Sequence, residues 1–173
     1  VRIDFTSVFR AHAAYAWRLL RRLGVAERDA HDVCHDVFII IHRRLAHVRA
    51  QSSVRSFVYS VCVRAASDYR RSARVRRERL SDDSVVDAGA TPRSEMPDKV
   101  VEHRRLTAFL MAHLERMEDA KREVFVLYEM DELTMAEVAE IVGCPQQTAY
   151  SRLHAARKEI RAAFARWEGG NDR

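Results

Sequence analysis

The chain has 173 residues, 30 Lys and Arg against 25 Asp and Glu, a formal charge of +5 and a pI near 9.4, a balance that suits a polyanionic partner. Its 47% hydrophobic content is enough for the cores of one domain or two small ones and excludes a disordered tail. No apolar run is long enough to cross a bilayer and the N-terminal residues carry no signal-peptide pattern, so no membrane insertion and a cytoplasmic location are expected.

Only five glycines and three prolines occur, and an apolar period near 3.6 runs almost throughout, so the fold class is all-α. From Asp4 to Leu23, Phe5, Val8, Phe9, Ala16, Trp17, Leu20 and Leu23 trace one stripe, and Gly24 makes a C-terminal stop. A second helix spans about Glu27 to Ala46 and carries Val33, Val37, Phe38, Ile40, Ile41 and Leu45. The polar stretch Arg49 to Ser53 interrupts the pattern. A third helix follows, with Val54, Phe57, Val58, Val61, Cys62, Ala65 and Tyr69 inward. Its far end holds seven arginines in sixteen residues (Arg64, Arg70, Arg71, Arg74, Arg76, Arg77 and Arg79), opposed only by Asp68 and Glu78. Such density favours phosphate contact, although cations also suit a solvated helix C-terminus.

Leu80 to Asp98 changes character: it has two prolines, a glycine and few large apolar residues. From Asp82 to Glu102 six acids face two bases, a net of −4, which leaves +9 for the rest. This composition predicts a flexible acidic linker between two small helical domains. Tethering lets two weak sites act together, since the second contact gains effective concentration. Beyond it, Asp98 can cap a helix with Val101, Leu106, Phe109, Leu110, Leu114 and Met117, and a shorter helix holds Val124, Leu127 and Tyr128.

Thr134 to Ile160 is the most specific segment. Thr134 and Glu137 have capping-box spacing, and the helix they open places Met135, Val138, Ala139 and Val142 on one face. Gly143 supplies a tight turn and Pro145 pre-sets φ before a second helix. That helix keeps Ala149, Leu153, Ala156, Ile160 and Phe164 inward and turns Gln147, Thr148, Tyr150, Ser151, Arg152 and His154 outward near its start. The pattern is a helix-turn-helix whose second helix suits the major groove; a plain helical hairpin with a solvated face shares much of it.

Both halves resemble the extracytoplasmic-function (ECF) type of the main bacterial sigma-factor family, over nearly the whole chain. DAHDVCHDVFIIIHR (Asp29 to Arg43) is similar to the family's polymerase-docking helix, and FVYSVCVRAASDYRR (Phe57 to Arg71) to the helix that follows it. TMAEVAEIVGCPQQTAYSRLHAAR is similar to the family's helix-turn-helix, including Thr148, Ser151, Arg152, Leu153, Ala156 and Arg157. The resemblance implies a sigma domain over residues 1–79, the linker over 80–98, a second sigma domain over 99–167 and a tail over 168–173. It implies core RNA polymerase and promoter DNA as partners and an anti-sigma factor as regulator, with no cofactor.

Under that resemblance the second domain reads a duplex −35 element. Tyr150, Ser151 and His154 fall at base edges, Gln147, Thr148 and Arg152 on or near phosphates, and Arg157 beside them. The first domain reads a melted −10 element with Arg49, Gln51, Ser52, Ser53, Arg64, Arg70 and Arg71, capture of exposed bases offsetting part of the opening energy. Asp29, Asp32, His35 and Asp36 are the docking residues. Phe57 stands where the family has Trp, His35 at a Gln position and Arg64 for a frequent Asn. Tyr150 replaces a basic residue, and Ala155 an Arg that often contacts the upstream element. These departures bear on promoter sequence and leave the class intact.

His31, Cys34 and His35 lie at i, i+3 and i+4, a spacing that can present metal ligands, but no second ligand cluster accompanies them. Cys34, Cys62 and Cys144 form no pairing framework, in keeping with a reducing compartment. No nucleophile elbow, phosphate-cradling loop or HExxH pattern occurs, so the chain reads as a non-enzyme. A helix-turn-helix repressor or activator would need to dimerise, and a helical protein-interaction adaptor would show no salt-dependent DNA or polymerase association.

Overall fold

The computed structural model describes residues 4–48, 51–80 and 98–171, which form helices and turns with no strand among them. α1 (Phe5–Arg22) starts where Asp4 accepts the Ser7 N–H at 2.9 Å, and it ends at Gly24, whose φ of +92° only glycine adopts readily. α2 (Glu27–Arg44) closes in a short 3-10 turn, Leu45–His47. α3 (Gln51–Leu80) is the long basic helix. α4 (Asp98–Arg116) and α5 (Asp119–Phe125) lead into a π-helical segment, Val126–Met130. α6 (Met135–Val142) and α7 (Gln146–Asn171) complete the chain.

The first three helices pack together as their stripes require. Ala16, Leu20, Val37, Ile41, Val58 and Cys62 are all essentially excluded from solvent, and each Leu or Ile so covered contributes roughly 1.5–3 kcal/mol. Two residues expected inside lie outward: Phe9 is 45% exposed and Ile40 36%. Phe9 sits at the rim with its ring edge-on to Phe38, and Ile40 lies on the solvent side of α2 beside the buried Val37, Phe38 and Ile41. In the second half, α4 and α5 pack against α7, with Leu114, Met117, Val124 and Leu127 in the core.

The helix-turn-helix forms as its residues dictate. Thr134 accepts the Glu137 N–H while the Glu137 carboxylate accepts the Thr134 N–H at 2.9 Å, so the capping box is complete. Gly143 caps α6 in the left-handed region at φ +67°. Ala149, Leu153 and Ala156 of α7 are buried, and Ile160 and Phe164 are half-buried. α7 runs past Trp167 to Asn171, so the segment expected to be a tail from residue 168 continues the helix in its described part. The expected linker falls almost wholly on 81–97, outside the described residues.

The two halves share one hydrophobic core. α3 has apolar residues on a second face as well: Tyr59, Val63 and Ala66 are buried, lying between Arg55 and Arg70 at helical spacing. α6 packs against α3, and α4 touches α1. Leu19 of α1, wholly buried, lies between Tyr15 and Arg22 on the corresponding face.

Candidate nucleic-acid interface

The outward face of α7 is polar and open near its N-terminal end. Gln147, Tyr150, Ser151 and His154 are exposed, Tyr150 by 49%, while Thr148, Arg152 and Arg157 are half-buried. An exposed aromatic of that size on a packed helix is available to a partner. The Ser151 hydroxyl donates to the Gln147 carbonyl at 3.0 Å, which holds it against its own helix and leaves its lone pairs outward. Arg157 is held: its Nε lies 2.6 Å from the Glu129 carboxylate and its guanidinium lies over the Tyr128 ring at 5.7 Å. It therefore points along a fixed direction.

Where α5 meets the ends of α1 and α4 lies a charge cluster that the sequence pattern does not show. Arg122 is 1% exposed and is the buried charged side chain of the described core. Its guanidinium donates to the carbonyls of Leu114 and Met117, to the Asp119 carboxylate at 2.7 Å and to the Leu23 carbonyl at 3.3 Å. Burial lowers its pKa and Asp119 opposes that. Burial pushes Asp119 up, but Arg122 and Arg70 together hold it below its ordinary value. Glu123 next to it is pushed up to about 7 by burial and by Asp119, with Arg122 and Arg152 opposing. The one cue in the sequence is that Arg122 lies four residues before Val126, on an apolar stripe.

On the first domain, Arg64 and Arg71 are exposed on α3, as a phosphate-facing role requires. Arg70 is engaged elsewhere: its Nε lies 2.6 Å from the Asp119 carboxylate, it donates to the Glu115 carbonyl at 3.1 Å, and its guanidinium lies against Gly24. Gln51, Ser52 and Ser53, expected in a recognition loop, fall in the first turn of α3, and Arg49 lies outside the described residues.

The α2 residues expected to dock a partner divide. Asp32, His35 and Asp36 are exposed. Asp29 accepts the Tyr69 hydroxyl at 2.6 Å, a bond that lowers its pKa and ties α2 to α3. His31 lies beside Trp17 and the Cys34 thiol faces the Ala13 carbonyl; no group of three metal-ligating side chains converges among the described residues. Burial pushes both the Cys34 and Cys62 thiols up, disfavouring the thiolate that metal binding or oxidation needs. No described helix is long and apolar enough to cross a membrane.

A capped helix-turn-helix with an open polar face, and a second module carrying an arginine-rich helix, define a two-module DNA-binding protein. The family model for sigma-70 region 2 matches residues 8–76 and that for sigma-70, region 4, matches residues 108–160. The chain belongs to the sigma-70 family and is of the ECF type. It is 29% identical over 142 residues to the ECF RNA polymerase sigma-E factor of Escherichia coli (strain K12), covering 79% of this chain and 74% of that one. It is 32% identical over 161 residues to "Probable ECF RNA polymerase sigma factor SigI" of Mycobacterium tuberculosis (strain ATCC 25618 / H37Rv), covering 90% of this chain and 53% of that one. The fold is similar to that of the sigma factor RpoE in its complex with the anti-sigma factor NepR from Bartonella quintana. There the TM-score is 0.70 at 16% identity, over 94% of this chain and 97% of that one. It is also similar to CnrH in complex with the cytosolic domain of CnrY, at a TM-score of 0.65 and 19% identity over 93% and 87% of the two chains.

Proposed function

We propose that the chain binds core RNA polymerase and directs promoter-specific initiation as its specificity subunit, in the cytoplasm and without a catalytic centre of its own. Residues 1–79 are the polymerase-docking and −10 module and residues 99–167 the −35 module, joined through residues 80–98. The observation that carries this reading is the occurrence of both sigma-70 regions in order on one chain.

Tyr150, Ser151 and His154 contact base edges, with Gln147, Thr148, Arg152 and Arg157 on phosphates; their clustering at the start of α7 supports this. Asp32, His35 and Asp36, exposed along α2, meet the polymerase. Arg64 and Arg71, with Gln51, Ser52 and Ser53, hold melted strand. An anti-sigma factor regulates the chain, as the complexes formed by proteins of similar fold suggest.

The test is transcription. The purified chain is mixed with bacterial core polymerase lacking any sigma factor, and run-off products are read from a genomic fragment library. Discrete transcripts that vanish without the chain are expected. Failure to bind core polymerase, together with dimeric binding to duplex DNA, would replace this reading with that of a repressor.

A further inference from the structure

Tyr150, His154 and Arg157 lie at i, i+4 and i+7 of α7 and so share one stripe of the helix. About 10 Å of helix axis separate Tyr150 from Arg157. Unlike the other two, Arg157 is held from outside its own helix. Its Nε lies 2.6 Å and its Nη2 2.5 Å from a single oxygen of Glu129, and the Tyr128 ring lies under its guanidinium at 5.7 Å. Tyr128 and Glu129 both belong to the π-helical segment Val126–Met130. The wider π winding sets successive side chains closer in direction than the about 100° of an α-helix, and such turns are frequent at functional sites. Two consecutive residues can therefore hold one guanidinium. The pair is partly open to solvent, 42% exposed at Arg157 and 32% at Glu129, and an ion pair so placed adds little stability. What it fixes is direction.

We infer that Glu129, with Tyr128 beneath the guanidinium, is a positioning residue for DNA recognition: it aims Arg157 at one phosphate beside the −35 element and withholds it from phosphates elsewhere. The inference rests on the function proposed above and deepens it.

The carboxylate has a cost and a use. Close to a duplex it repels phosphate and offsets the Arg157 charge, so binding to arbitrary sequence is weakened. A guanidinium has five N–H donors in a fixed fork. Glu129 engages Nε and Nη2 through one oxygen and leaves Nη1 to a partner that arrives from the right side. Phosphate contacts set the register of a helix in the groove. A tethered Arg157 meets its phosphate when Tyr150, Ser151 and His154 sit over their bases, whereas an untethered one follows any phosphate within reach of its long side chain. Discrimination is a difference of two affinities, and a repulsive element widens it.

The experiment uses the full chain and its variants Glu129→Gln, Arg157→Ala and the two combined, each checked by circular dichroism for helix content and melting. Fluorescence anisotropy reads affinity over a salt series for two labelled duplexes of about 30 base pairs, or three helical turns. One has mixed sequence, and the other carries the upstream element recovered from the run-off transcripts. On mixed sequence, Glu129→Gln should steepen the slope of log affinity against log salt by about 0.9, the neutralisation of one more phosphate. The double variant should not. On the element, Arg157→Ala should flatten that slope by about 0.9, and Glu129→Gln should reduce discrimination between the two duplexes about fivefold. An unchanged slope for Glu129→Gln on mixed sequence would overturn the inference. So would equal falls in affinity on both duplexes, which a merely structural role would give. Absence of transcripts with core polymerase would remove the functional reading, and the mixed-sequence series would still decide the role of Glu129.

Discussion

Replacing Arg122 with Met tests whether the buried guanidinium supports the second domain. Met has the reach to fill the space but offers no donors. In the native chain the Leu114 carbonyl also accepts the Met117 N–H at 3.3 Å, and Asp119 also pairs with Arg70, so both keep a partner in the variant. The Met117 and Leu23 carbonyls lose theirs. A buried acceptor left unsatisfied costs about 1–3 kcal/mol, so two of them predict a loss of about 3 kcal/mol. For a chain of this size that lowers Tm by about 6–12 °C. Urea denaturation followed by circular dichroism measures it, with Arg157→Met as control. The control breaks a partly exposed pair with Glu129 and is expected to lose about 1 kcal/mol or less. Equal losses in the two variants would refute the reasoning, because Arg122 would then contribute no more than a surface charge. Arg122→Lys should recover little, since a point charge cannot serve four acceptors at once.

Ser151→Ala and Arg152→Ala should weaken use of the −35 element, by about 1–3 kcal/mol where a base contact is lost, while leaving core-polymerase affinity unchanged; run-off transcription and polymerase binding measured in parallel separate the two. Asp32→Lys with Asp36→Lys, both on exposed positions, should reduce core-polymerase affinity without lowering Tm; unaltered affinity would remove α2 as the docking face. Glu123 has a folded pKa raised from 4.5 to about 7. The folded state therefore binds its proton more tightly, and the stability it contributes is complete below pH 4.5 and is lost as pH rises toward 7. The loss should be about 2 kcal/mol after allowing for partial solvation, and Glu123→Gln should flatten that slope in denaturation curves taken at successive pH values.

Local chemistry made the helix-turn-helix legible without coordinates. A Thr–Glu capping box, a glycine at a left-handed position and a 3.6-residue apolar period act over a few residues, and each appears where the sequence places it. The exposed face of α7 follows directly, because burying Ala149, Leu153 and Ala156 turns Tyr150, Ser151 and His154 outward. One buried face of each helix follows from the same local period. Phe9 and Ile40 lie on the stripe yet outside the core, because a period marks a stripe and says nothing of where its covering partner ends.

The second faces were decided by tertiary structure. Tyr15, Arg22, Arg55 and Arg70 look like solvated positions in a one-dimensional pattern, since a charged or phenolic side chain ordinarily marks solvent. The partners of Tyr15, Arg22 and Arg70, the carboxylates of Asp131 and Asp119, lie 49 to 116 residues away along the chain, and no local period carries information over that distance. Arg122 is hidden for the same reason: besides the nearby Asp119, its acceptors are backbone carbonyls at the ends of α1 and α4, which exist as a site only once those helices stop side by side. The sequence by itself therefore determined the helices, the capping box of α6 and the exposed polar face of α7. The covering of one half by the other, and with it the pairing of Arg70 with a carboxylate, is a property of the assembled chain, because ion pairs between distant residues form only after packing brings them within reach.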